Sequence, residues 1–377
     1  PSVPIGGVKA GFSARRRVGT ARTHAILGVV PRLDAAAVCA PGTEDFCRRE
    51  LAGLGIKPKS TGPGIVAFSP TPRQLYASLV WLRTSTRVLV RLGTFRATTF
   101  EHLEMRVGEL DWGQWLGDGV GTQFRVSSTK SRLIHTGAIA ERFERVVAAA
   151  SGAGPVQPFV VRADRDRFTV SIDLAGAGFH HRTWRQEPMA APLRPNLAAA
   201  AVLAAGWHGR GPIVDPFCGS GTLAIEAALI QLGLPPDLGR VDQLADSPFS
   251  QSSMFAPGTW ASVVGEVRAK VAELRTVAPE PTTAVLMSDR DQAAVEAAGA
   301  NAERAGLTAA FGVDLRTEVQ VVSHLGAAEG PGLVVANPPY GIRLDQGRLE
   351  PLYRRFGAVV RERRPGHDLL LVCPDRG

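Results

Sequence analysis

The segment Pro212 to Leu232 constrains the fold more than any other part of the chain. Pro212-Ile213-Val214-Asp215 reads as a short strand that runs directly into Pro216-Phe217-Cys218-Gly219-Ser220-Gly221-Thr222 and then into a helix, Leu223–Leu232. Strand, glycine turn and helix in immediate succession make a nucleotide-binding corner of an α/β sheet. The glycines let a ligand touch the backbone, and the helix N-terminus offers free N–H groups to an anion. A P-loop would need Lys before the Thr, which Ser220-Gly221-Thr222 lacks, and a G-x-S-x-G elbow would need glycine where Cys218 stands. The dinucleotide pattern G-x-G-x-x-A is matched by Gly219, Gly221 and Ala224 and stays open on this motif alone. Asp215 shifts the balance. An acid at the strand end would repel a pyrophosphate and suits a cofactor with a cationic amino-acid end, namely S-adenosylmethionine.

Further strands extend the same sheet. Ala284–Met287 leads into Ser288-Asp289-Arg290-Asp291 and a helix, Gln292–Ala305, closed by Gly306; an acid here can accept both ribose hydroxyls, and Asp291 also suits an N-cap. Asp314, in Gly312-Val313-Asp314-Leu315, is expected to end a third strand and to accept the adenine amino group. One acid after each of three strands is the rim pattern of a ligand lying across their carboxyl ends.

The fourth strand, Leu333–Ala336, stops at Asn337-Pro338-Pro339-Tyr340. The lone pair of an exocyclic base amine is delocalised into its ring and is a poor nucleophile. Hydrogen bonds from that amine to the Asn337 side-chain oxygen and the Pro338 carbonyl would favour the tetrahedral nitrogen needed to attack a sulfonium methyl. Two consecutive prolines stiffen the turn that holds these acceptors, and Tyr340 can stack on a base taken out of its helix. Neither a metal nor a covalent nucleophile is required.

Before Trp184 the texture differs. A helix at Glu44–Gly55, a strand at Gly64–Phe68, a helix at Arg73–Leu82 and a strand at Arg87–Leu92 give the rhythm of a split βαβ unit. A second small unit follows: strand Gln123–Ser127, a helix around Ala138–Ala150, and strands Phe159–Arg162 and Arg167–Asp173. Its loop Ser127-Ser128-Thr129-Lys130-Ser131-Arg132 carries hydroxyls and cations of the kind that grip phosphates, and Arg142, Arg145 and Arg182 join Lys130 and Arg132 as candidate RNA contacts. Residues 1–33 hold six basic and no acidic side chains, residues 34–185 hold 20 basic and 14 acidic, and residues 186–377 hold 17 basic and 21 acidic. A basic front and an acidic back suit a front half that holds a polyanion. The acid-poor start, 1–32, reads as a basic tail, a composition shared with organellar transit peptides.

With 377 residues the chain is expected to form several domains, with the main boundary near the proline cluster at residues 183–195. No window reaches the ~18 apolar residues that a bilayer span needs. The four cysteines, Cys39, Cys47, Cys218 and Cys373, lack C-x-x-C spacing, which fits reduced thiols in the cytoplasm rather than a disulfide framework or a zinc site. His180 and His181 are expected to point to opposite faces of a strand, which argues against a shared metal.

The C-terminal half resembles the class I S-adenosylmethionine-dependent amino-methyltransferases, through Asp215 to Thr222 and Asn337 to Gly341. Residues 43–377 as a whole resemble the THUMP-domain RNA methyltransferases, especially the bacterial guanine-N2 enzymes acting on large-subunit ribosomal RNA and their tRNA-modifying relatives. Further matching stretches are Ile172 to Arg182, Ala191 to Arg194 and Tyr340 to Asp345. The resemblance implies an α/β Rossmann-like methyltransferase domain (183–377) preceded by α+β ferredoxin-like (33–95) and THUMP (96–182) domains, the latter two capturing RNA. It implies that Asp215, Pro216, Phe217, Cys218, Gly219, Ser220, Gly221 and Thr222 line the methionine end of the cofactor, Asp289 and Arg290 the ribose, and Asp314 the adenine. Pro192, Leu193 and Asn196 would close the pocket, while Asn337, Pro338, Pro339 and Tyr340 hold the target base. Relatives carry Arg-Gly-Tyr-Arg where this chain has Arg182-Thr183-Trp184-Arg185, and their sheet has seven strands, whereas Leu369–Cys373 here is the fifth. The expected activity is methylation of a guanine N2 amine in ribosomal or transfer RNA. Adenine-N6 methylation of RNA or DNA, a non-catalytic RNA-binding protein and, more remotely, a dehydrogenase are the alternatives.

Overall fold

Two β-sheets organise the chain, and each is best understood from its pairing. The computed structural model describes residues 32–186, 193–207, 211–277, 284–339 and 346–373. The expected tail up to residue 31, and the site residues Pro192 and Tyr340, lie outside the described residues.

The front half runs β1 (Ala35–Cys39), α1 (Glu44–Gly53), β2 (Pro58–Gly62), β3 (Ile65–Phe68), α2 (Pro72–Trp81), β4 (Ser85–Arg96), α3 (Phe100–Gly108), β5 (Gly121–Thr129), α4 (Thr136–Val147), β6 (Val156–Asp164) and β7 (Arg167–Asp173). Helix α2 starts where its sequence says it should. The Thr71 side chain accepts the Gln74 N–H at 3.3 Å and the Gln74 side chain accepts the Thr71 N–H at 3.1 Å, with Pro72 in the first turn. All seven strands form one sheet in the order β2-β3-β1-β4-β7-β6-β5. The 12-residue β4 joins its parts, pairing β1 through Ser85–Val90 and β7 through Leu89–Arg96. The division expected at residues 95 and 96 therefore falls at the end of a strand that serves both units. Strand β1 has no polar alternation in its sequence, Ala-Ala-Ala-Val-Cys, yet alternate residues are buried because β3 and β4 hold it from either side.

The back half runs α5 (Pro195–Ala204), β8 (Ile213–Asp215), α6 (Thr222–Gln231), α7 (Gly239–Ala245), α8 (Pro257–Val277), β9 (Ala284–Asp289), α9 (Gln292–Arg304), β10 (Asp314–Val319), β11 (Gly332–Ala336), α10 (Gln346–Arg363) and β12 (His367–Leu371). Its five strands are paired in parallel in the order β10-β9-β8-β11-β12. Both faces are covered, as a parallel sheet requires. Ile213, Leu333 and Val335 face α5, α6 and α9, whereas Val214, Val334 and Ala336 face Phe356 and Val359 of α10. Chain order reverses between β8 and β11, so the crevice at their carboxyl ends is where a ligand of such a sheet binds. Among the described residues no helix is long and apolar enough to cross a membrane.

The two halves are welded by buried charge. Glu226 of α6, fully buried, accepts the Arg182 Nε–H at 2.8 Å, and Arg83 approaches the same carboxylate at 3.5 Å. Arg182 spends its remaining donors on the Phe179 and Arg83 carbonyls, and Arg240 lies over the Phe179 ring at 4.2 Å. Taking charges out of water costs several kcal/mol each, so such a junction holds only with every partner in place. Arg182 is 3% exposed. The expected RNA contact is thus corrected: this arginine fastens one half of the protein to the other.

Candidate active site

The corner after β8 is held from three sides. The Cys218 N–H donates to the Ser288 carbonyl at 3.0 Å, the Gly219 N–H to the Asp289 carboxylate at 3.1 Å, and the Asn301 side-chain amide to the Ser220 carbonyl at 3.0 Å. Gly219 and Gly221 have φ of +49° and +76°, the left-handed region in which a side chain is strained. At Gly221 space is also short: a Cβ would stand 2.9 Å from the Met287 sulfur and 3.1 Å from the Ala298 Cβ. Helix α6 begins at this glycine with no side-chain cap, so its leading N–H groups are available to a ligand at the corner. Ser220 and Thr222 are buried with their hydroxyls 3.2 Å apart.

Asp215, 1% exposed, ends β8, and its carboxylate accepts the Phe217 N–H at 3.2 Å. Burial raises its pKa to about 8; the Phe217 N–H pulls the other way, and the neighbouring Asp289 charge adds to the rise. A buried acid strained in this way is relieved by a cation placed against it. Burial also pushes the Cys218 thiol up, which makes it a poor nucleophile.

Asn337 leaves β11 at the same edge. Val334 pairs with Val214, so Asp215 and Asn337 emerge from adjacent strands at the switch point. The half-buried Asn337 has its side-chain oxygen buried with no hydrogen-bond partner among the described residues. Pro338 is buried, Pro339 is half-buried, and the Pro339 carbonyl accepts the Tyr353 hydroxyl at 3.5 Å. At the start of α5, the buried Asn196 likewise has a side-chain oxygen without a partner among the described residues, while Leu193 packs on the sheet core. Unmade hydrogen bonds at buried polar atoms are costly, so both oxygens have acceptor capacity to offer a ligand.

Other expected residues sit elsewhere. Asp314 begins β10 instead of ending it: it pairs with Ala284, the first residue of β9, at the amino edge of the sheet, and its carboxylate takes Arg316 at 2.8 Å. The rim position after β10 belongs to Gln320, whose N–H donates to the Asp289 carbonyl at 2.9 Å. The Phe217 ring turns away from the corner to meet Phe356 edge-on at 5.3 Å. Pro216 is buried and Arg290 is exposed beside Asp289. Asp291 caps α9 through the Ala293 N–H at 3.0 Å. Arg142 lies over the Phe100 ring at 4.2 Å and, with Arg145, converges on Glu104; Lys130 and Arg132 are exposed. His180 and His181 do not diverge, because the segment is a turn and not a strand; their ring centroids are 4.2 Å apart. Among the described residues no three His, Cys, Asp or Glu side chains group as a metal site would.

Sequence reading missed Asn301. This fully buried residue ties the glycine corner to α9 and receives the Gln186 N–H at 3.2 Å and the Arg304 guanidinium at 2.6 Å. The signal was present: a polar residue on the alanine-lined buried face of a helix.

A parallel sheet in this strand order, with an acid and glycine corner after one central strand and Asn-Pro-Pro after its neighbour, defines a methyltransferase domain, here carried behind a ferredoxin-like domain. The chain belongs to the RMKL-like methyltransferase family, whose domain matches residues 182–375; residues 34–89 match the RlmL ferredoxin-like domain. It is 33% identical over 349 residues to ribosomal RNA large subunit methyltransferase K/L of Methylococcus capsulatus. That match covers 88% of this chain and 45% of the relative, so the chain spans less than half of that protein's length. Among solved structures, a predicted N6-adenine-specific DNA methylase from Listeria monocytogenes superposes with a TM-score of 0.80 at 28% identity, covering 92% of this chain and 90% of that one. SMU.472, solved in complex with SAH, gives a TM-score of 0.80 at 26% identity with the same coverage.

Proposed function

We propose that the protein methylates the exocyclic N2 amine of a guanine in structured RNA, with S-adenosylmethionine as donor and ribosomal RNA as the first substrate to test. One observation carries the reading: the buried Asn337 oxygen, without a hydrogen-bond partner among the described residues, directly follows the strand next to the Asp215 and glycine corner. The residues present fit the cofactor. Asp215 supplies a buried acid that a cationic end would ionise, Asp289 supplies acceptors for the ribose, the uncapped start of α6 supplies donors for the carboxylate, and Asn196 supplies an acceptor without a partner among the described residues. When bound, the cofactor supplies an electrophilic sulfonium methyl. The Asn337 oxygen accepts a hydrogen from the target amine and concentrates its lone pair on nitrogen, and the two prolines hold that acceptor in place. The relation to ribosomal RNA methyltransferase K/L supports RNA as substrate, and the front half supports its capture by ferredoxin-like and THUMP-like units.

A second reading, adenine-N6 methylation, is favoured by the name of the Listeria neighbour, and Asn-Pro-Pro serves the amino group of either base. Incubating the protein with isotopically labelled S-adenosylmethionine and unmodified RNA, followed by nucleoside mass spectrometry, separates the two. N2-methylguanosine is the expected product, N6-methyladenosine would transfer the assignment to the second reading, and the absence of both cofactor binding and methyl transfer would end both.

A further inference from the structure

In the β4-β7-β6-β5 part of the seven-stranded sheet one face is buried under helices, and on the other face the arginines toward the β6–β7 turn are exposed while Ser171 and Asp173 are buried. Phe168, Val170 and Ile172 of β7, Phe159 and Val161 of β6 and Phe124 of β5 are buried on the helix side. Cross-strand partners share a face, so the pairing register lists what stands on the open side. Arg96 is opposite Arg167, and Thr94 is opposite Thr169. Thr169 is opposite Arg162, Arg162 is opposite Ser127, and Val160 is opposite Arg125. Arg96, Arg125, Arg162 and Arg167 are all exposed.

Most arginines of the front half are already engaged. Arg91 pairs with Asp34, Arg87 and Arg125 with the buried Asp173, Arg106 with Glu109, and Arg142 and Arg145 with Glu104. The side chains of Arg96, Arg162 and Arg167 make no ion pair or hydrogen bond to a described residue. They lie on the adjacent strands β4, β7 and β6, within about 12 Å of one another at the usual strand spacing and rise. Two of them, Arg96 and Arg167, are directly opposite, and Arg167 is flanked on its other side by the exposed Asp164 of β6, so this row is left with one positive charge in excess. The hydroxyls of Thr169 and Ser127 stand among them as neutral donors, whereas the Thr94 hydroxyl is buried. At one end of this face, Arg132 donates its backbone N–H to Asp166 at 2.6 Å, which brings the Lys130 and Arg132 loop against the β6–β7 turn and its exposed Arg165.

We propose that the open sheet face bearing Arg96, Arg162 and Arg167, and not helix α4, is the surface along which the RNA backbone lies. The assignment rests on the RNA-methylation reading above. Guanidinium groups contact phosphates bidentately, and each contact releases counterions from the RNA, so binding through this face is steeply salt-dependent.

The test uses the full chain and a fluorescently labelled RNA hairpin of mixed sequence, with anisotropy followed as a function of KCl. The triple variant Arg96→Gln, Arg162→Gln, Arg167→Gln is compared with the Lys triple at the same positions and with Arg142→Gln, Arg145→Gln. Loss of three phosphate contacts flattens the slope of log K against log salt by about 2–3 and weakens binding at least tenfold. The Lys triple keeps the slope, and all variants bind S-adenosylmethionine as the unmodified chain does in calorimetry. A Gln triple with unchanged slope and affinity, or loss confined to the α4 double variant, overturns the surface assignment while RNA methylation stands. If the unmodified chain binds S-adenosylmethionine and a DNA duplex but not the RNA hairpin, the RNA reading and this surface fall together.

Discussion

Gly219 donates its backbone N–H to the Asp289 carboxylate at 3.1 Å, so the acid that closes β9 holds the glycine corner that follows β8. The same carboxylate accepts the Asp291 N–H at 3.2 Å through its other oxygen. Asp289 is thus both a rim acid and a structural tie. Replacing it with Ala removes hydrogen bonds to a charged acceptor worth about 1.5–3 kcal/mol each. Titration calorimetry is expected to show at least a tenfold loss of S-adenosylmethionine affinity. Unaltered affinity would mean the corner keeps its shape without the tie.

Asp215 makes stability and cofactor affinity depend on pH in opposite directions. Its pKa is about 8 in the fold against 3.8 in a free side chain, so the folded state holds a proton that the unfolded chain releases between these values. Stability therefore falls as pH rises through that window, and Asp215→Asn flattens the fall. A bound cation favours the ionised carboxylate. S-adenosylmethionine affinity should rise as pH approaches 8, with proton release visible in calorimetry in two buffers of different ionisation enthalpy. A pH-independent affinity would place the cationic end elsewhere.

The two corner glycines differ in what a methyl group would meet. Around Gly219 there is open space, so Gly219→Ala costs only the left-handed backbone, about 1–2 kcal/mol. Gly221→Ala adds a contact at 2.9 Å with the Met287 sulfur, which brings about 1–3 kcal/mol of overpacking. Urea denaturation should rank Gly221→Ala as the less stable variant, and equal midpoints would refute the packing difference.

Removing Glu226 leaves Arg182 buried without its carboxylate. Glu226→Ala is expected to cost about 3–5 kcal/mol, because the penalty is an unpaired charge more than a lost attraction. Denaturant unfolding measures this directly. A loss below about 1 kcal/mol, the level of an exposed pair, would show that water reaches the junction.

Asn337→Ala is expected to lower kcat about 100- to 1,000-fold, the scale of losing one preorganised polar contact to the reacting group, while S-adenosylmethionine still binds. Single-turnover transfer with saturating cofactor isolates the step. A change in KM alone would make Asn337 a binding residue.

Local pattern was enough for the parts of this protein that depend on near neighbours. The turn from Asp215 to Thr222 needs glycine at two left-handed positions whatever surrounds it, and β7 shows its alternation over the whole span Arg167–Asp173. Asn-Pro-Pro ends a strand by its own stereochemistry, so Asn337 was legible as a rim residue.

Sheet register and buried charge were not legible, because they depend on residues far apart in the chain. Asp314 looks like a strand end in isolation, and only its pairing with Ala284 shows that it stands at the opposite edge. β1 is a run of small residues until β3 and β4 enclose it. Arg182 reads as a surface cation in a basic half, yet it is buried against Glu226, 44 residues away in helix α6. Arg96, Arg162 and Arg167 are scattered in sequence, and β-pairing alone sets them side by side. The residue types of the site were written locally; which of them meet was decided by long-range pairing, since strand register and desolvation are properties of the assembled sheet and not of any segment.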